Sequence, residues 1–273
     1  MKKVWSFLLA AVLLTLCLAG CNANKGAYGD LSMIEGVELG VEEYGIAFRT
    51  GSDMVAKVDA ISAKLFENGT MAEIAKKYGQ EDSIVKEFKA AEGQEVSGAS
   101  DWEYIQGKGK MVIGVTLYDP MNYQDADGKW IGFDTEYAEA VCKELGVTPE
   151  FKIINWDTKE MALQTKDIDC VWNGMTITDA MLKAADVSGA YMKNYQVVVV
   201  KDAKTYTSLD SLKGKVVVAE AGSAGEAAAK ADANLSVGYK AVEDMAGALL
   251  EVKSGTADAC VIDYVMAKSL LSK

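Results

Sequence analysis

Short runs rich in β-branched residues alternate with stretches of helical periodicity along most of this chain, and that alternation restricts the folds open to it. The runs are KMVIGVT (110–116), EFKII (150–154), DIDCVWNG (167–174), YQVVVVK (195–201), KVVVAE (215–220) and ADACVID (257–263). Between them apolar residues recur at helical spacing over 134–145, 158–164, 223–231, 242–253 and 264–272. Strands separated by helices of this length predict an α/β fold with a mostly parallel sheet. DIDCVWNG and ADACVIDY each follow an amphipathic helix and a polar turn, and each carries a Cys-Val step with an aspartate one or two residues before it. Equivalent strands in two sheets account for the likeness, and so does chance among common strand residues. Residues 54–88 also read as amphipathic helix, broken at Asn68-Gly69 and Gly79, while 89–100 (KAAEGQEVSGAS) has the small, polar, aperiodic character of a linker.

The first residues set the compartment. Lys2 and Lys3 precede an apolar run from Val4 to Leu18, too short for the roughly 20 residues of a membrane span. Leu18-Ala19-Gly20-Cys21 matches the lipobox of bacterial lipoproteins. Residues 1–20 then form a signal peptide, Cys21 is the acylated N-terminus and 21–29 is a tether; a plain secretory signal with a chance cysteine is the alternative. Two or more acyl chains anchor stably where one does not. The expected location is the outer face of the bacterial cytoplasmic membrane, with contact through the lipid anchor only. Removing residues 1–20 takes away two lysines, so 28 basic residues become 26 against 40 acidic and the net charge moves from −12 to −14. So acidic an exported chain is a poor partner for nucleic acid. The absence of histidine removes the commonest metal ligand and the usual general base. Cys142, Cys170 and Cys260 are odd in number, without C-x-x-C spacing and set in apolar surroundings, which makes them small buried hydrophobes. No metal and no cofactor is implied.

From Asp101 onward the chain carries, in order, IGVTLYDPMNY (113–123), DGKWIGFDTEYAEAVCKELGV (127–147), NWDTKEMALQTKDIDCVWNGMTITD (155–179), LDSLKGKVVVAEAGSAGE (209–226) and ADACVIDY (257–264). This order of segments resembles the polar amino-acid family of ABC-transporter solute-binding proteins, which have the type II periplasmic-binding fold. The family continues through a strand, a motif like EEYGIAFRTGSD and two helices ending like KKYG. Here residues 31–79 supply those parts, in that order, ahead of the rest. The resemblance therefore implies a circular permutation with new termini in lobe 2 and 89–100 joining the former ends. Lobe 2 is expected at 30–45 and 197–273 and lobe 1 at 46–196, each a mostly parallel sheet flanked by helices. Hinge strands are expected near Tyr44-Gly45-Ile46 and near Gln196 to Val200. The implied function is a monomeric, lipid-anchored substrate-binding subunit of an ABC importer. It would close over a small polar solute, an amino acid or amine, and dock on the permease and ATPase subunits. Two alternatives share the scaffold: a ligand-sensing module for a signalling partner, and a cyclohexadienyl-dehydratase-like enzyme. The enzyme would need a dicarboxylate cleft and a positioned general acid; a binding protein without catalysis is the expectation.

The same resemblance assigns ligand contacts. Tyr118 and Trp156 match the aromatic walls, with core packing as their ordinary alternative. Thr176 matches a hydroxyl donor, or else merely opens a helix, and Asn173 and Gly174 offer backbone groups. Asp263 matches the carboxylate that pairs with an α-ammonium. Gly222, Ser223, Ala224 and Gly225 form a small-residue turn at a helix start, where backbone N–H groups can meet an anion. The family usually continues TITD with an arginine clamp two residues on, but here that position is Met181, and Arg49, the only arginine, matches a place outside the usual pocket. Glu220 stands where relatives select the ligand side chain. A cleft with Asp263 and Glu220 but no arginine is net negative and suits a cationic ligand, unless Glu220 faces solvent and a lysine such as Lys183 or Lys193 replaces the arginine.

Overall fold

The computed structural model describes residues 28–93 and 95–271. The expected signal peptide, Cys21 and the tether up to residue 27 lie outside them. The strands are β1 (Ser32–Met33), β2 (Leu39–Phe48), β3 (Lys110–Val115), β4 (Tyr123–Gln124), β5 (Trp130–Ile131), β6 (Thr148–Ile153), β7 (Cys170–Thr176), β8 (Asp186–Val187), β9 (Met192–Val200), β10 (Val217–Glu220), β11 (Tyr239–Val242) and β12 (Ala259–Asp263). Helices α1 (Met54–Glu67), α2 (Thr70–Lys77) and α3 (Asp101–Lys108) precede β3, α4 (Phe133–Leu145) precedes β6, and α5 (Lys159–Gln164) precedes β7. Then follow α6 (Asp179–Ala184), α7 (Ala224–Ala231), α8 (Met245–Ser254) and α9 (Tyr264–Leu271).

Eight of these strands run in the order β11-β10-β12-β9-β2-β7-β3-β6, with β1 and β8 added against β9 and β2. The two flanks repeat one plan. β3 lies parallel to β6 and β7, and β7 is antiparallel to β2; β10 lies parallel to β11 and β12, and β12 is antiparallel to β9. DIDCVWNG and ADACVID thus form equivalent strands, β7 and β12. The equivalence extends to side chains: Asp169 accepts from the N–H of Val112 (2.6 Å) and Asp258 from that of Val216 (2.9 Å), each fixing the strand beside it. The long strands β2 and β9 tie the flanks together. β2 pairs with β9 over its first half and with β7 over its second, while β9 passes from β2 to β12 near Gln196.

Strands covered by helices on both faces have no polar side to show, which is why they read as unbroken apolar runs. Every residue of β12 and of β10 is buried, as are Gln196 to Val200 of β9. Cys142, Cys170 and Cys260 are buried and free, and burial pushes their thiols up. Residues 80–88 depart from the helical pattern. Val85 donates its N–H to the Tyr191 carbonyl and Lys193 donates to Ser83, so this segment runs along the start of β9 instead of closing helical bonds. The expected linker is fastened rather than loose. Ala91 N–H donates to Asp59 (2.7 Å), Ser97 N–H to the Gly51 carbonyl (3.0 Å), and Ser100 caps α3 by accepting from Glu103 N–H (3.0 Å).

Candidate functional site

The C-terminal ends of β7, β10 and β12 converge on a cavity of about 460 Å³, a size suited to a small molecule and the place where open α/β sheets put ligands. One wall carries Asn173, Gly174 and Thr176 from β7, Met181 from α6, and Trp156 and Lys159. Glu220, Gly222, Ser223, Ala224 and Asp263 form the other, with Glu226, Lys230 and Met245 beside them. Local chemistry sets each wall. Asn155 caps the single turn Trp156–Thr158 by accepting from Asp157 N–H (3.0 Å), and Thr178 caps α6 by accepting from Met181 N–H (3.1 Å). Gly222 has a left-handed φ of +70°, and a Cβ there would stand 2.9 Å from the Asp157 backbone, so only glycine lets the walls approach this closely.

The β12 side is acidic. Asp263 accepts from Asn194 Nδ2 (2.7 Å) and from Gln196 Nε2 through Oδ1, and those same amides donate to Glu42. Two carboxylates thus share two amide donors. Burial, and next the nearby charge of Glu42, raise the Asp263 carboxyl above its ordinary value. Glu220 is 2% exposed and its Oε1 has no partner. Burial first, then the charges of Asp263 and Asp244, push it up to about 8 against the pull of Lys159. Four acids (Glu160, Glu220, Glu226, Asp263) and two lysines (Lys159, Lys230) line the cavity, which is negative by formal count when all are ionised.

Ten of the twelve residues assigned from sequence line this cavity, and Tyr118 and Gly225 do not. Tyr118 is wholly buried beneath it, with its hydroxyl 2.8 Å from that of Tyr44 and its ring under Gly174, where a Cβ would be 2.6 Å from Tyr118 Cε1. It supports the floor rather than forming a wall. Gly225 packs against β12, where a Cβ would lie 2.8 Å from the Val261 carbonyl. The Asn173 side chain is turned to β3, accepting from the N–H and hydroxyl of Thr116, and the Gly174 N–H is taken by Asp134 (2.7 Å). In the small-residue turn, the Gly222 N–H already donates to Glu226 (2.8 Å), so this anion site is partly filled from within the chain. The Thr176 hydroxyl donates to Glu42 (2.8 Å). Met181 packs in an apolar cluster with Trp156 and Val187.

Arg49 lies elsewhere, donating to Asp101 and to the carbonyls of Leu163 and Ile168. Glu220 does not face solvent, and Lys183 and Lys193 are exposed and off the lining. The lysines that do line it are Lys159 and Lys230. Lys159 follows Trp156 by three residues, so ring and ammonium fall on one face of a helical turn. Glu42 alternates with Tyr44 along β2, which puts both on one side of the sheet. Those spacings were the available signals for the two residues that sequence reasoning passed over.

The sequence profile of the bacterial extracellular solute-binding proteins, family 3, matches residues 111–258, more than half of the chain. The chain belongs to this family. Among the relatives it is similar to, the arginine-binding extracellular protein ArtP of Bacillus subtilis is 32% identical over 63% of this chain and 68% of its own length. The L-cystine-binding protein TcyJ of Escherichia coli is 31% identical over 62% and 64%. The chain thus spans about two thirds of the length of these relatives. Among solved structures, the arginine-bound form of truncated ArgBP from T. maritima superposes with a TM-score of 0.58 at 28% identity, covering 62% of this chain and 81% of that one. The family fixes the broad reading: an extracellular solute-binding protein of the amino-acid-binding kind, on a type II periplasmic-binding fold. Among the described residues no helix is long and apolar enough to cross a membrane.

Proposed function

We propose that this chain captures an amino acid bearing an extra positive charge, or a related amine, and delivers it to an ABC importer. The observation that carries this reading is Glu220, buried with a free carboxylate oxygen beside Asp263 in a cavity without arginine. A buried carboxylate without a partner costs several kcal/mol as an ion, and a cationic ligand relieves that cost. Relatives named for arginine agree with such a ligand. A dehydratase of dicarboxylic acids would have to bring carboxylates into a cavity where acids outnumber lysines four to two, which argues against the enzymatic alternative.

The lobes of this reading are 46–196 and 30–45 with 197–273, hinged on β2 and β9. Circular permutation is supported by the position of β2. It falls outside the matched stretch 111–258 yet occupies the middle of the sheet, where a dispensable appendage has no place. The lipobox ending at Cys21 supports a lipid anchor on the cell surface or in the periplasm, attached in lobe 2. The reading is tested by purifying the protein from its own host and identifying the bound ligand by mass spectrometry. A basic amino acid or amine is expected; a dicarboxylate such as glutamate overturns it.

A further inference from the structure

An acidic cavity leaves one of its own residues unexplained, a buried cation. Lys159 is 7% exposed, and its Nζ donates to the carbonyls of Trp156 (3.2 Å) and Gly222 (3.1 Å), one on each wall. The Trp156 ring centroid is 4.9 Å away. Among the described residues its one ion-pair contact is Glu160 at 3.7 Å, beyond good hydrogen-bonding distance. Two carbonyls occupy two of the three ammonium protons. Glu220 also lines this cavity, with its Oε1 unpartnered. No ion pair joins Lys159 to Glu220 or Asp263 among the described residues, although all three line one space. The ammonium has only a long contact to Glu160 and the Glu220 Oε1 has no partner, so a molecule charged oppositely at its two ends can satisfy both.

The other lining lysine and the lone arginine are committed. Lys230 is paired with Glu226 at 2.7 Å and is mostly exposed, Arg49 is bound to Asp101, and the thioether of Met181 offers no charge. We infer that Lys159 receives the carboxylate of the ligand while the Glu220 and Asp263 end receives its cationic groups. Lys159 is then the specificity-determining residue that separates an amino acid from the corresponding amine. This rests on the cationic reading above and narrows it to a zwitterion with a second positive charge.

The test compares L-lysine with L-lysinamide, which keeps both amines and loses the carboxylate charge, by calorimetry on the full chain and on Lys159→Met and Lys159→Arg. The wild type is expected to prefer lysine by about tenfold or more, the range of one charge-assisted hydrogen bond. Lys159→Met brings that preference below threefold, whereas Lys159→Arg retains it. Comparing ratios removes any general weakening of the site. A preference that persists in Lys159→Met, or an equal loss of both ligands, overturns the inference while leaving cation capture intact. If the wild type binds neither, L-arginine and L-argininamide take their place in the same comparison, and binding of none of the four overturns both readings.

Discussion

Asp169 and Asp263 sit at opposite ends of two equivalent strands, both buried, and their surroundings differ in kind. Asp169, at the entry to β7, accepts from Lys108 Nζ (2.8 Å) and from Val112 N–H (2.6 Å) and lies 3.6 Å from Arg49, which is itself forked onto Asp101. Asp263, at the exit of β12, has neutral amides and, close by, another acid, Glu42. The paired cluster holds the fold together at the strand entries. The unpaired one keeps free energy in reserve at the strand exits, where a ligand with the missing charge can recover it.

The sharpest way to break that contrast is to disarm the paired cluster. Arg49→Met leaves Asp101 without the guanidinium forked onto it and should lower the free energy of unfolding in urea by about 3–5 kcal/mol, with ligand affinity unchanged within twofold. An equal loss of affinity would merge the two clusters into one. The converse substitution, Asp263→Asn, should weaken a cationic ligand about ten- to a hundredfold by calorimetry. Stability should change by less than about 1 kcal/mol, because the lost charge was a burden to the unliganded fold.

Acidity distinguishes the clusters next. Glu220 ordinarily titrates at 4.5 and in the fold near 8. Between those values the folded chain holds a proton that the unfolded chain has released, so stability falls as pH rises from about 4.5 to about 8. Asp263, also raised, acts in the same direction. Urea unfolding at pH 5, 6.5 and 8 should show this slope, and Glu220→Gln should flatten it. Affinity for a cation should rise over the same window, since the bound form needs the carboxylate charged. The smallest effect belongs to the surface: Lys64→Ala removes an exposed pair with Glu144 and should change stability by less than about 1 kcal/mol.

Much of the fold was legible because buried strands advertise themselves. Six apolar runs became β3, β6, β7, β9, β10 and β12 within a few residues, and the Asn68-Gly69 break marked a helix end. The edge strand β11 was not legible, since YKAV is half-exposed and lacks the apolar continuity of the central strands. The amphipathic pattern of 80–88 misled, because a segment lying along a strand edge can bury apolar residues at helical spacing without helical bonds. At the site, positions were readable and pairings were not. Asn173, Gly174 and Thr176 line the cavity, yet Thr116, Asp134 and Glu42, each at least 40 residues away in sequence, engage their polar groups. Lys159 was hidden for a related reason: a lysine three residues after a tryptophan looks like a solvated helix face until the opposite wall closes over it.

The most direct test of an acid-lined cavity built for a cation is calorimetry on the wild-type protein at pH 8 with L-lysine, L-ornithine, L-arginine and L-glutamate. Binding of at least one basic amino acid, with none detectable for glutamate, is the predicted result. Tight binding of glutamate with no response to the basic amino acids would contradict it.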